Sequence, residues 1–251
     1  MAALVDLFLT LQQRNAAQQT IDRELAASRN SPAVRQIWAQ ALRGHGLIDS
    51  AAREFGELAS STGQAEPLIQ LSGIYNEMGR RTDALNAAQN AVTRQPDDPK
   101  AVLYSGFMLE KAGKLQEAER AYREGLRLKP GDAVLMNNLA SVLAAQGRLL
   151  DEAKKLIEDA LKQRPTASEF RDTLASVYAK RGMYDSAIHI LYGLVKEAPQ
   201  EISFRVHLAS MLLDKGDRTG AGNELATLRK DTVPKEFEAT VNSLSTRLGI
   251  Q

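Results

Sequence analysis

Residues 99–132 read PKAVLYSGFMLEKAGKLQEAERAYREGLRLKPGD. Pro99 stands where a helix can begin without loss, because a first-turn N–H has no partner inside the helix. Val102, Gly106 and Leu109 then recur at i, i+4 and i+7, the spacing of one helix face. Gly113 supplies the left-handed backbone that closes a helix. Beyond it, Ala118, Tyr122 and Gly125 recur at four- and three-residue steps, and Pro130, Gly131 and Asp132 form a turn. The stretch is predicted to be a helix hairpin. Small residues at Gly106 and Ala118 let its helices approach closely, and Tyr122 fills the gap beside them.

The hairpin is one of a series. Pro96, Pro130, Pro165, Pro199 and Pro234 are separated by 34, 35, 34 and 35 residues. Gly46, Gly79, Gly113, Gly147, Gly182 and Gly216 step by 33, 34, 34, 35 and 34. Ala51, Ala84, Ala118, Ala153, Ala187 and Ala221 step by 33, 34, 35, 34 and 34. Three residue types sharing one period predict a solenoid whose units bury one another's apolar faces.

The pattern resembles the tetratricopeptide repeat (TPR) over nearly the whole chain. The family's small first-helix residue is matched by Ala39, Ser72, Gly106, Ala140, Ala175 and Ala209, and the large residue before it by Trp38, Leu71, Leu139, Leu174 and Leu208, with Ser105 departing. The bulky second-helix site holds Phe55, Tyr122, Ile157, Leu191 and Leu225, with Ala88 undersized. The resemblance implies an all-α fold, a right-handed superhelix of about fifteen helices. Six units are expected at 32–64, 65–98, 99–132, 133–167, 168–201 and 202–234. Residues 1–31 read as a degenerate helix pair and residues 235–251 as a capping helix, on which Phe237, Val241, Leu244 and Leu248 share one face. One residue is inserted near Leu149 and Leu150, where a turn lengthens cheaply.

Composition narrows the functional classes. The 251 residues carry 32 Lys plus Arg and 31 Asp plus Glu, a net charge of +1 that gives no electrostatic case for a nucleic-acid partner. There is no cysteine, which excludes disulfide frameworks, thiol nucleophiles and cysteine-ligated metals. The apolar start, MAALVDLFLTL, has no basic lead, is interrupted by Asp6 and ends at Gln12, so it reads as an amphipathic helix rather than an export signal or membrane span. The chain as given is therefore expected to stay in the cytoplasm, or to be periplasmic if cut from a longer exported precursor. Direct membrane insertion is not expected.

No constellation for catalysis is visible, and neither cofactor nor metal is expected. His45, His189 and His207 fall in three different units, with no pair on one helix face. No serine lies in a Gly-x-Ser-x-Gly elbow and no glycine loop suits a phosphate. The basic residues Arg120, Arg123, Arg127 and Lys129 sit toward a second-helix end, where cations offset the helix dipole, and Glu117, Glu119 and Glu124 are interleaved with them.

The TPR resemblance places binding on the concave groove lined by first-helix residues. The candidate partner-binding residues are Asn76, Lys100, Tyr104, Phe107, Lys111, Asn137, Asn138, Ser141 and Asp172, flanked by Glu66, Gln70, Glu77 and His207. Asparagine amides can pair with both N–H and C=O of an extended backbone, and rings supply apolar anchors. TPR domains that grip a chaperone's C-terminal carboxylate use a lysine–asparagine pair, an asparagine, then a lysine–arginine pair. Here that frame holds Leu103, Phe107, Asn138, Glu169 and Thr173, so only Asn138 matches and that activity is not expected. The expected function is a non-enzymatic scaffold for a protein or peptide segment, of the bacterial kind that serves envelope, secretion or exopolysaccharide assembly. The alternative is a regulatory arm cut from a larger enzyme such as a glycosyltransferase.

Overall fold

The computed structural model describes residues 2–28, 30–228 and 233–250, and among these there are fifteen α-helices and no strand. Backbone contacts group the chain into two compact bodies, Met1–Pro130 and Gly131–Gln251. The N-terminal body contains α1 (Ala2–Thr10), α2 (Arg14–Ala27), α3 (Pro32–Gly44), α4 (Ile48–Thr62), α5 (Glu66–Glu77), α6 (Arg81–Arg94), α7 (Pro99–Lys111) and α8 (Leu115–Leu128). The C-terminal body contains α9 (Ala133–Gln146), α10 (Leu150–Gln163), α11 (Ser168–Lys180), α12 (Tyr184–Glu197), α13 (Ile202–Lys215), α14 (Arg218–Leu228) and α15 (Lys235–Leu248). Within each body every helix packs on its neighbours in sequence, and α1 on α3, α5 on α7, α9 on α11 and α13 on α15 pack one helix further on. Residues 229–232 of the expected sixth unit lie outside the described residues.

Local chemistry sets the helix ends. Asp98 caps α7, its Oδ1 accepting from the Lys100 backbone N–H at 2.9 Å, and Pro99 follows in the first turn. Asp132 caps α9 by accepting from the Val134 and Leu135 N–H groups at 3.0 and 3.1 Å. Such a cap satisfies donors that the helix itself leaves open. At the other end of α7, Gly113 adopts φ +74° and the Lys114 N–H returns to the Leu109 carbonyl at 2.9 Å, the closure that a left-handed residue permits.

Packing within each hairpin depends on the small positions. Ala118, Ala153, Ala187 and Ala221 are fully buried. A Cβ placed on Gly106 would sit 2.6 Å from Cε1 and 2.8 Å from Cδ1 of Tyr122, so glycine is the residue that lets this ring lie across α7. The ring is fully buried and its hydroxyl donates to Glu110 Oε2 at 3.0 Å, which settles the one polar atom it takes inside. On α15, Val241 and Leu244 are buried and Phe237 and Leu248 pack beside them, closing the apolar cluster built by α11 to α14.

The inserted residue falls between α9 and α10. Gly147 closes α9 at φ +66°, and Leu149, the residue before α10, holds a left-handed conformation at φ +51°. A leucine there is strained, because its Cβ crowds the following carbonyl. In the C-terminal body, acids at the start of second helices meet bases at the end of the next first helix. Asp151 of α10 pairs with Arg181 beyond α11, and Asp185 of α12 with Lys215 of α13. Asp214 of α13 likewise pairs with Arg247 of α15.

Candidate functional site

In the N-terminal body the first-helix face is a hydrogen-bonded chain of side chains. Arg43 of α3 pairs with Glu77 of α5, and its Nη1 donates to Gln70 Oε1 at 2.9 Å. Gln70 Nε2 donates to Glu66 Oε1 at 2.7 Å, and Lys100 Nζ of α7 reaches Glu66 Oε2 at 2.6 Å. The repeat period creates this chain, since Arg43 and Glu77, like Glu66 and Lys100, are 34 residues apart and so occupy matching faces of successive first helices. Two cations and two anions cancel within it.

The predicted aromatic residues sit partly inside this body. Tyr104 packs against the apolar cluster of Ala59, Ala65, Leu68, Ile69, Ala91 and Ala101. Phe107 packs against Ala84, Ala88 and Met108, with Lys111 Nζ 5.4 Å from its ring centroid. Both rings remain half-buried, as does Asn76. They edge the core and keep part of each ring at the surface.

The C-terminal body carries the other candidates. Asn137 of α9 is only 8% exposed; its Nδ2 donates to Asn138 Oδ1 at 3.0 Å, while its own Oδ1 is buried without a hydrogen-bond partner. Buried amide oxygens are seldom left so. Asp172 of α11 sits 35 residues after Asn137 and holds the same place relative to the small site, Ala175 against Ala140. Its two carboxylate oxygens lie 2.8 and 2.9 Å from Nδ1 of His207 on α13. Burial lowers the His207 imidazole pKa, but the hydrogen bond and charge of Asp172 outweigh this and hold it above the ordinary value. Ser141 and Asn138 are half-buried on the same helix as Asn137.

The structure thus brings together Glu66 with Lys100, Phe107 with Lys111, Asn137 with Asn138, and Asp172 with His207. The rings and the asparagines, read from sequence as one patch, belong to different bodies. Arg43 was not among the predicted residues. Its signal in the sequence is the 34-residue offset from Glu77, one repeat period. His45 meets Asp6 Oδ1 at 2.8 Å, beside a hollow of about 550 Å³ lined by Leu9, Thr10, Gln12, Arg14, His45 and Leu47, away from the predicted face. Second-helix charges pair locally: Arg123 with Glu119, Arg127 with Glu124, Lys154 with Glu158 and Lys162 with Asp159. Among the described residues no group of three or more His, Asp and Glu side chains is placed to hold a metal, and no helix is long and apolar enough to cross a membrane.

Comparison with known proteins fits this register. Residues 75–133 and 109–177 each match a family described as tetratricopeptide repeat. The TPR repeat-containing protein YpiA of Bacillus subtilis is 24% identical over 198 residues, covering 78% of this chain and 47% of that protein. The chain therefore spans less than half of that relative's length. A solved tetratricopeptide repeat protein from Parabacteroides merdae superposes with a TM-score of 0.74 at 15% identity, covering 98% of this chain and 96% of that one. The structure of PilW, described as a type IV pilus biogenesis factor, gives a TM-score of 0.68 at 13% identity over 85% of this chain and 97% of that one. Residues 75–177 thus carry tetratricopeptide repeats, and the paired helices described on either side of them give the chain the fold of a helical solenoid suited to protein–protein contacts.

Proposed function

We propose that the chain is a non-enzymatic scaffold that binds a protein or peptide segment on its first-helix faces. The observation that carries this reading is the pair of half-buried rings on α7, Tyr104 and Phe107, which keep part of their apolar surface accessible on a first helix. The half-buried rings of Tyr104 and Phe107, with Asn76, Lys100 and Lys111 around them, offer apolar anchors in the N-terminal body. Asn138 and Ser141 share α9 with Asn137 in the C-terminal one, and Asp172 holds the matching position on α11. The preformed helices spare the receptor any ordering cost on binding. Second-helix charges such as Arg127 with Glu124 and Lys162 with Asp159 instead pair locally along their own helices.

The wider role we favour is the organisation of a bacterial envelope assembly, such as secretion, pilus or exopolysaccharide machinery. Its support is the fold shared with PilW and the bacterial relative. Affinity capture with the full chain, followed by mass spectrometry, identifies the partner. Asn138→Ala and the double variant Asn138→Ala, Phe107→Ala should stay helical by circular dichroism and lose that partner. Retention by both, with loss on substituting Arg120 and Lys155 of the second helices, would overturn the assignment of the face.

A further inference from the structure

We propose that the Asp172–His207 pair makes the first-helix face of the C-terminal body a proton-switched receptor for a basic peptide side chain. The side chain is engaged while the imidazole is neutral and released when it is protonated. This rests on the reading of that face as a binding surface. Asp172 and His207 lie on successive first helices, and the carboxylate is partly open, its side chain 18% accessible against 41% for the imidazole. In either protonation state Nδ1–H donates to Asp172, so the pair keeps its geometry while its charge changes. With a neutral imidazole, the charge of Asp172 is uncompensated and its remaining lone pairs can accept from a guanidinium or ammonium. With a protonated imidazole the pair is neutral, and an arriving cation meets a like charge. Asn137 holds the register position of Asp172 on the neighbouring helix α9, so the adjoining first helix presents an uncharged amide there.

The surrounding charges are already committed. On α11, Glu169 pairs with Arg164, and Arg171 with Glu197 of α12. On α13, Arg205 pairs with Glu224 of α14, Asp214 with Arg247 of α15, and Lys215 with Asp185 of α12. Asn137, Asn138 and Ser141 of α9 carry no charge. Asp172 is the charged group that acts on His207. Proton and cation therefore compete for one carboxylate, and binding of the cation expels the proton.

The test is selection of a randomised library of short displayed peptides against the full chain at about pH 9 and about pH 5.5, either side of the histidine range. Arginine keeps its charge throughout. The expected result is an arginine-enriched pool at the higher pH that binds roughly fivefold or more weakly at the lower one. His207→Gln keeps an N–H donor without a titration, so it should bind that pool equally at both pH values. Asp172→Asn should lose the preference for arginine at both. An Asn137→Ala, Asn138→Ala variant separates the two readings. If it abolishes binding of a pool that is neither basic nor pH-dependent, the switch fails and the binding face stands. If a pool binds undiminished, the face itself is misassigned. The same pH dependence in His207→Gln as in the parent chain overturns the switch, and no enrichment at either pH overturns both readings.

Discussion

Gly106→Ala adds one methyl group where α7 and α8 pack closely in the N-terminal body. The new Cβ would lie 2.6 Å from Cε1, 2.8 Å from Cδ1 and 3.1 Å from Cζ of Tyr122, where carbon atoms rest at about 3.5–4.0 Å. The obstacle is a ring face, fully buried and held at its far end by the hydroxyl's bond to Glu110 at 3.0 Å. Relief requires the ring or α8 to move by about 1 Å. Overpacking of this kind costs about 1–3 kcal/mol, and the better helix propensity of alanine returns about 1 kcal/mol. The net is a loss of about 0–2 kcal/mol for the hairpin of α7 and α8. Urea unfolding followed by circular dichroism should show a lower midpoint. In a Tyr122→Leu background the same substitution should cost nothing or stabilise, because the obstructing ring is gone, and the cycle should show a coupling of about 1–3 kcal/mol, the overpacking term itself. A Gly106→Ala chain with a midpoint above the parent's, or a cycle with no coupling to Tyr122, would show that these helices do not cross as described.

Ala118→Leu and Ala187→Leu place three more carbons at fully buried contacts and should each cost about 1–3 kcal/mol, read as a lower Tm; two unchanged melts would mean the repeat register is wrong. Leu149→Gly removes a strained left-handed leucine whose residue is 48% exposed, and should stabilise by about 0.5–1 kcal/mol after the entropy of glycine is deducted, measured as a higher Tm. Asp172→Asn tests proton linkage. The folded His207 pKa lies above its ordinary value of 6.5, so the pair's contribution is fully present at lower pH and fades as pH rises through the folded pKa. The stability difference between parent and variant should therefore be largest below about pH 6 and shrink in mildly alkaline buffer; a difference that grows with pH would reverse the assignment.

The fold was legible because its causes are local and repeated. Glycine is needed where α7 closes, alanine where α8 crosses, and each requirement returns once per hairpin, so three residue types carry the same period. The insertion near Leu149 was legible as an interrupted step, but the left-handed backbone that absorbs it was not, since nothing in the residue type marks it. The candidate face was read less fully. Placing Tyr104, Phe107, Asn137 and Asn138 on first helices needs only the period. Whether a side chain is free or occupied depends on how far its neighbours reach, as with Lys100 bound to Glu66 and Asp172 bound to His207. Arg43 of α3 reaches two polar groups of α5, Gln70 and Glu77, and its role is visible only once those helices are set side by side.

Asp151 with Arg181 and Asp185 with Lys215 each join the start of one second helix to the end of the following first helix, 30 residues downstream. Exposed pairs of this kind add little to stability one by one. Their weight falls on how such a chain can change. A hairpin duplicated or exchanged as a block keeps the match only when the incoming block brings an acid at one edge and a base at the other. A block cut a few residues out of phase sets acid against acid or leaves the charge unmatched. The joints are in this sense keyed, and a lengthened version of this chain should favour whole repeats taken in phase.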